Sequence, residues 1–590
     1  MFSYSVVVMV YKYSYSRSSR EPRRFVWMFI GILVVLIPLS LISGGFVIYI
    51  NHIAIAFASK PILILVLEFL IILLVCSPIV YLLMKLPIGF LKGFFTTIFI
   101  VLTLYAFAST VALVLYLILT IIILIIIAYE VHRGWFEDYR VVKLLKFSLA
   151  LIPLLVIYIF TSLYVPIASS RGVEFIELSK PVDVNALKRF IPLMTAYTYA
   201  VDRLQIPTHR IYAEDSYVYF ANGRSVYNWV VEPQGFWNEV TKPPRGFIFV
   251  YGDTYPPQVE VILRDTVWGL RNARFYVLFF DTLYRQIVLR VGLYYKPIME
   301  NNIEIVYNNE LLILVPVMKW DRGLLHSIPI IHGYAVIHED GSIEFVDAEK
   351  ALVDPRFRSL PVVPEVIARE WVELRRFYVG FIDFYLYRNT YTIRDIGTNP
   401  QPYLSIDKDN KIWWVFVAEP PGEAYSAKYI MYVDPSNLRP SIYIYTLSTP
   451  MIGISRVESY IKQHYPMFDW SQLVVEEPTP ILINDTLYWK VTVTTKDFRG
   501  LVLVALVNAK TGTVTSIDVT KWDTQTKGNL TADTILQVIS KPTPTKTEEE
   551  TKLSIEDRIK QLEQLIQQIR DMLNQLEKEL NDLKRQLTQK

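Results

Sequence analysis

The segment Glu304-Ile305-Val306-Tyr307-Asn308-Asn309 alternates in side-chain character, ends in an Asn pair and runs into the bulky stretch Leu311–Val317. An Asn, Asp or Gly pair between two strand-like runs is the chemistry of a tight hairpin, whose central residues take positive φ. The pattern recurs. Val218-Tyr219-Phe220-Ala221-Asn222-Gly223 leads into Val226–Val231, and Leu404-Ser405-Ile406-Asp407-Lys408-Asp409-Asn410 leads into Ile412–Val417. Ile481-Leu482-Ile483-Asn484-Asp485 leads into Leu487–Val493 in the same way.

A second hairpin follows each first one. These are Phe247–Ile262, Tyr334–Val346 around Asp340-Gly341, Ile430–Tyr445 around Asp434-Pro435, and Leu501–Ile517 around Lys510-Thr511-Gly512. Helical stretches, Val184–Leu204, Pro364–Val379 and Ile454–Tyr465, precede at least three of the units, while Asp265–Val288 reads as either helix or strand. The predicted unit is a helix followed by a four-stranded antiparallel meander, in about four copies. The copies fall at 173–264, 265–350, 360–447 and 451–520.

The composition around the repeat is apolar. Of 590 residues 52% are hydrophobic and 19% charged, with 59 Lys+Arg against 56 Asp+Glu. That balance excludes a disordered chain, disfavours an ordinary soluble enzyme and leaves no nucleic-acid footprint. The single cysteine, Cys76, excludes a disulfide framework and a thiolate metal site.

The apolar excess lies before residue 166 and predicts five membrane spans, near 25–50, 61–84, 94–109, 110–128 and 147–165. Five spans put Lys12, Arg17, Arg20, Arg23, Arg24, Lys85, Lys92, Arg133, Arg140, Lys143 and Lys146 on one face. The positive-inside rule then makes 1–24 a cytoplasmic basic tail of a multi-pass cell-membrane protein. Everything after about residue 166 is placed outside the cytoplasm. Glu68 is the one acidic residue within a predicted span, a possible intramembrane polar site read mainly as a packing bond between helices.

Residues 453–519 contain Tyr488-Trp489-Lys490-Val491 and Val507-Asn508-Ala509-Lys510-Thr511-Gly512-Thr513-Val514. With the preceding helix, this stretch resembles the PepSY-type α+β module. The resemblance covers about a tenth of the chain and implies a small extracytoplasmic fold, with binding or inhibitory roles and no catalytic residues. Asn508 stands where that family more often has Asp.

The remaining chemistry is sparse. His326, His332 and His338 share an even spacing, but neighbours six residues apart would lie about 20 Å from each other along one strand, too far for a common metal shell. Asp407-Lys408-Asp409-Asn410 lacks the glycine and the distal glutamate of a calcium loop and reads as a hairpin turn. No cofactor is expected. Asn484 and Asn529 head N-glycosylation tripeptides.

A polar linker, 521–551, leads to the strongest periodic signal, in 552–590. Ile555, Ile559, Leu562, Ile566, Ile569, Leu573, Leu576, Leu580, Leu583 and Leu587 alternate spacings of four and three. That is a coiled-coil seam with Ile559, Ile566, Leu573, Leu580 and Leu587 at a. The expected fold class is a five-span helical membrane region, a repeated α+β ectodomain and a C-terminal coiled coil.

The function that follows is a membrane-anchored surface protein with a non-catalytic binding or envelope-organising ectodomain. It would self-associate as a trimer or dimer and engage the bilayer and an unknown surface protein or peptide. One alternative is a membrane-bound regulator whose PepSY-like modules bind peptide or restrain a peptidase. A transporter or membrane enzyme is the other.

Overall fold

The computed structural model describes residues 45–70, residues 151–540 apart from 214–215, 269–281, 423–425 and 523, and part of 560–574. The chain divides into two compact units, Met1–Ala532 and Asp533–Lys590.

The first unit begins with helices α1 (Gly45–Ala58), α2 (Ile62–Leu70) and α3 (Leu151–Ser170), then strand β1 (Glu174–Leu178). Helix α4 (Leu193–Arg203) precedes the sheet β2 (Tyr217–Ala221), β3 (Arg224–Val230), β4 (Gly246–Tyr251) and β5 (Val259–Leu263). Helix α5 (Leu283–Val291) precedes β6 (Ile303–Tyr307), β7 (Glu310–Arg322), β8 (Ser327–Ile337) and β9 (Ile343–Asp347). Helix α6 (Glu365–Arg375) precedes β10 (Tyr403–Ile406), β11 (Ile412–Glu419), β12 (Ser426–Val433) and β13 (Ser441–Ile452). Helix α7 (Ile454–His464) precedes β14 (Leu473–Ile483), β15 (Thr486–Thr495), β16 (Leu501–Asn508) and β17 (Val514–Asp518). In each group the four strands pair antiparallel in chain order. The third sheet also carries β1, parallel to β13 at its edge.

Three of the four matched turns have the same geometry. Ala221 faces Arg224, Tyr307 faces Glu310 and Ile483 faces Thr486, leaving two-residue loops. Both loop residues take positive φ: Asn222 and Gly223 at 52° and 77°, Asn308 and Asn309 at 50° and 64°, Asn484 and Asp485 at 49° and 58°. The third turn differs. Ile406 faces Ile412 across a longer loop in which Asn410 alone is left-handed, at 61°. Asp407 Oδ1 accepts from the Asp409 and Lys411 amides at 2.9 Å each and closes the loop. Asp409-Asn410 is therefore not equivalent to the other pairs.

The predicted helix Val184–Leu204 is split into a 3-10 turn, Ala186–Arg189, and α4, which starts after Pro192. Proline lacks the amide a continuing helix needs and is best tolerated at a helix start. Within the ambiguous stretch Asp265–Val288, the described end is the start of α5. In the PepSY-like stretch, Asn508 Oδ1 accepts from the Lys510 and Thr511 amides, a role either Asn or Asp can fill.

Buried tryptophans join neighbouring groups. Trp371 of α6 donates Nε1–H to Pro329 O of β8 at 2.7 Å. Trp489 of β15 donates to Ile452 O at the end of β13 at 2.8 Å. Val415 and Val417 of β11, Val491 of β15, and Val457 and Ile461 of α7 belong to one core shared by the third and fourth sheets.

The five-span reading is not supported. The spans at 94–109 and 110–128 and the basic tail lie outside the described residues, as do Cys76, most of 25–50 and the second half of 61–84. Among the described residues no single helix is long and apolar enough to cross a membrane; α1 and α2 together form one broken pair, bent by 113°. Helix α1 runs through the stretch 51–58 that had been read as a loop. Its Asn51 is buried, donating to Leu293 O at 2.7 Å and Tyr295 O at 3.0 Å and accepting from Tyr284. Helix α3 packs on α6 and reaches β8, where Ser169 Oγ accepts from the Ser327 amide at 3.0 Å.

The architecture is mixed α/β with a large β content. The multi-pass cell-membrane localisation, the cytoplasmic N-terminus and the extracytoplasmic placement after residue 166 lose their basis with the spans. An apolar run long enough for a bilayer is equally long enough to pack on protein, and the hydropathy count alone does not separate the two.

Replacing Trp371 tests the packing between the second and third groups. Trp371→Ala should cost about 3–5 kcal/mol in denaturant unfolding. Trp371→Phe should recover most of that and leave about 1 kcal/mol for the lost bond to Pro329 O.

Candidate functional site

One group of buried charges in the first unit centres on Arg189. The turn that carries it packs against β3, β10 and β14, strands of the first, third and fourth sheets. Arg189 Nη2 donates to Glu477 Oε1 at 2.9 Å, and its Nε donates to the Tyr227 hydroxyl at 2.9 Å. The Tyr403 ring lies 5.9 Å from the guanidinium carbon. The Tyr227 hydroxyl in turn donates to Ile191 O at 2.7 Å.

Glu477 occupies a bulge in β14, where the register with β15 shifts, and takes a φ of 48°. Its Oε1 also accepts from the Leu193 amide at 3.2 Å and from Asn399 Nδ2 at 2.7 Å. One oxygen thus gathers donors from α4, the Arg189 turn and the loop before β10. Its neighbour Glu476 binds the same loop, accepting from the Thr398 amide at 2.9 Å and hydroxyl at 3.0 Å. Gly397, at φ +80°, lets that backbone approach, since a Cβ there would strike the Glu476 carboxylate.

Burial governs the electrostatics. Although burial opposes it, the Glu477 carboxylate and the Tyr227 hydroxyl hold Arg189 above its ordinary range. Burial pushes Glu476 up to about 7, against the pull of Thr398. Burial draws Lys490 of β15 down to about 8, against the attraction of Glu477. Glu365, at the start of α6, is pushed up to about 7, first by burial. The arrangement joins the first, third and fourth sheets, with Arg189 Nε and Nη2 donating to Tyr227 and Glu477.

The residues singled out by sequence are scattered over other parts of the molecule. Glu68 is buried and bonded, to Lys60 Nζ at 2.8 Å and to the Tyr158 hydroxyl at 3.1 Å. Lys60 sits in the break between α1 and α2, outside the predicted spans, whereas Tyr158 lies within the predicted span 147–165. His332 is the extra residue of a bulge in β8 and stacks between Tyr295 and Phe345. His338 faces Glu310 at 2.9 Å. Asn484 and Asn529 are both exposed. Asp407 lines a cavity of about 660 Å³ with Asp183, Asp409 and Asp485, but its carboxylate is occupied by turn amides and Trp413 Nε1. Among the described residues no His, Cys, Asp and Glu group could hold a metal ion.

In the second unit, Ile566, Ile569 and Leu573 lie on helix and are 52%, 48% and 55% exposed. Ile555, Ile559, Leu562, Leu576, Leu580, Leu583 and Leu587 lie outside the described residues.

No family model, curated protein or solved structure matches this chain.

Sequence reasoning missed the Arg189 cluster, although a signal was present. Lys490 stands between Trp489 and Val491, and Glu476-Glu477 interrupts Leu473–Ile483, all in strands otherwise apolar or neutral. A charge inside such a strand requires a buried partner.

Two measurements test this site. Arg189→Met leaves Glu477 buried without its cation and should cost about 3–5 kcal/mol in chemical unfolding. The pH dependence has two limbs. Glu476 has a folded value above its unfolded one, so the folded state holds the extra proton and stability falls as pH rises from about 4.5 to about 7. Lys490 has a folded value below its unfolded one, so stability rises from about 8 towards 10.5. Lys490→Met should abolish the upper limb and leave the lower one, read as midpoint denaturant concentration against pH.

Proposed function

We propose that this chain is a non-catalytic binding and organising protein that works as an assembly of copies joined through residues 552–590. The observation that carries this reading is the stripe Ile566, Ile569 and Leu573, helical and about half exposed, with Met572 beside it at 58%. Burying an aliphatic side chain of this size is worth about 1.5–3 kcal/mol, so a seam of such residues in the heptad pattern has a strong drive to pair.

The partner the pattern suits is a second copy in parallel. Parallel pairing sets Arg558 against Glu563 and Glu579 against Lys584, attractive g-to-e contacts. Exposed pairs of this kind contribute tenths of a kcal/mol, so they choose orientation while the seam supplies affinity. Leu565 and Met572 at g widen the apolar face, which favours three strands over two. In the first unit the Arg189–Glu477 pair joins sheets, which supports a binding or organising role.

Sedimentation equilibrium of the full chain tests the reading. The wild type should behave as a trimer, and Leu573→Asp with Leu576→Asp should return it to a monomer with an unchanged unfolding transition of the first unit. A monomeric wild type at tens of micromolar would end the proposal.

A further inference from the structure

A cavity of about 280 Å³ lies in the third group, between α6 with its following turn and the sheet face made by β1, β12 and β13. Its central group is Arg375, the last residue of α6. The guanidinium carbon lies 3.9 Å from the Phe175 centroid and 4.1 Å from that of Tyr378, against the corner formed by these two edge-to-face rings. Contact with the ring faces favours the cation and leaves its N–H donors free to meet an acceptor.

One of its donors is not matched by protein. Nη1 is buried with no hydrogen-bond partner among the described residues. Burial draws the guanidinium below its ordinary range, and the titratable groups that act on it are the phenols of Tyr391, Tyr378 and Tyr429, with no carboxylate among them. Arg376 and Arg369 nearby each have a carboxylate partner, Glu373 at 2.6 Å and Asp395 at 2.8 Å, which Arg375 lacks among the described residues. A buried donor left unmade costs roughly 1–3 kcal/mol, more when charged, so an arginine in this position is stabilised by whatever anion reaches it.

The rest of the lining narrows the ligand. Lys428 adds a second cation and Glu177 one carboxylate, so with Arg375 the walls carry a net single positive charge. Val379, Met431 and Ile444 add apolar surface. We propose that this cavity binds a small organic monocarboxylate, with the carboxylate on Arg375 and an apolar or aromatic body against the sheet. One negative charge neutralises the walls, whereas a phosphate dianion would leave an excess and has no use for the apolar side. The volume suits a ligand of about a dozen heavy atoms.

The test uses the full chain and 3-phenylpropionate as probe, followed by ligand-observed NMR at low millimolar concentration. The neutral 3-phenylpropionamide and inorganic phosphate are run as parallel arms. The carboxylate should bind, the amide at least tenfold more weakly, and phosphate should compete poorly. Arg375→Met, which keeps an apolar stem against the rings, should weaken the carboxylate at least tenfold with the circular dichroism spectrum unchanged. Glu177→Gln, at an exposed edge-strand position, should tighten it by removing the opposing charge. Equal binding of acid and amide, phosphate binding as tightly as the carboxylate, or no binding of the carboxylate to the wild type at 10 mM would each overturn the proposal. The amide and phosphate arms use wild-type protein, so a failure of Arg375→Met to fold does not remove the test.

Discussion

The buried pair between Arg189 and Glu477 is the constraint around which the first unit is arranged. Taking two such charges out of water costs several kcal/mol per ion, recovered only when geometry is good and the remaining donors and acceptors are met. Here they are met from several directions at once: Tyr227 from the first sheet, Asn399 from the approach to the third, and the amide of Leu193 at the start of α4. Apolar packing tolerates small slides between sheets, whereas a carboxylate with three directed donors does not. The cluster therefore fixes how the first, third and fourth sheets meet, and the bulge at Glu476-Glu477 is the distortion of β14 that points both carboxylates to their partners.

The four groups are not independent beads on a chain. In a simple solenoid each repeat touches its neighbours through similar interfaces. Here the helix that opens the third group packs on the second sheet through Trp371, and the fourth sheet shares its core with the third. β1, which follows α3 directly, completes the far edge of the third sheet in parallel. Loss of one group would open the core of another, so the first unit should be regarded as a single cooperative body built from similar parts.

What could be read from the sequence was local. Turn pairs such as Asn308-Asn309 declare themselves because positive φ restricts the residue types, and the strands on either side follow from them. The third turn was misread as a plain pair because Asp407 works through backbone amides several residues away. The sites were much less legible. Arg189 and Glu477 are separated by most of the first unit, and nothing in either neighbourhood names the other. The apolar stretches before residue 166 were read by hydropathy and loop charge, neither of which registers an Asn51 bonded into the second group or a Lys60 folded back on Glu68.

The break between α1 and α2 bears on the order in which the molecule is made. The amides of Ile62 and Leu63, at the start of α2, donate to Gly323 O and Leu324 O at the tip of the β7–β8 hairpin, at 3.1 and 3.0 Å. Arg322 returns a bond from the same tip to Phe57 O at 3.1 Å. The acceptors are about 260 residues downstream, and at about 5–20 residues per second the ribosome needs on the order of 13–50 s to reach them. For that interval only solvent or a helper protein can satisfy the corner. The earliest-made helices described here are thus anchored late, and the nascent chain carries an apolar, unanchored leading segment until the second sheet emerges.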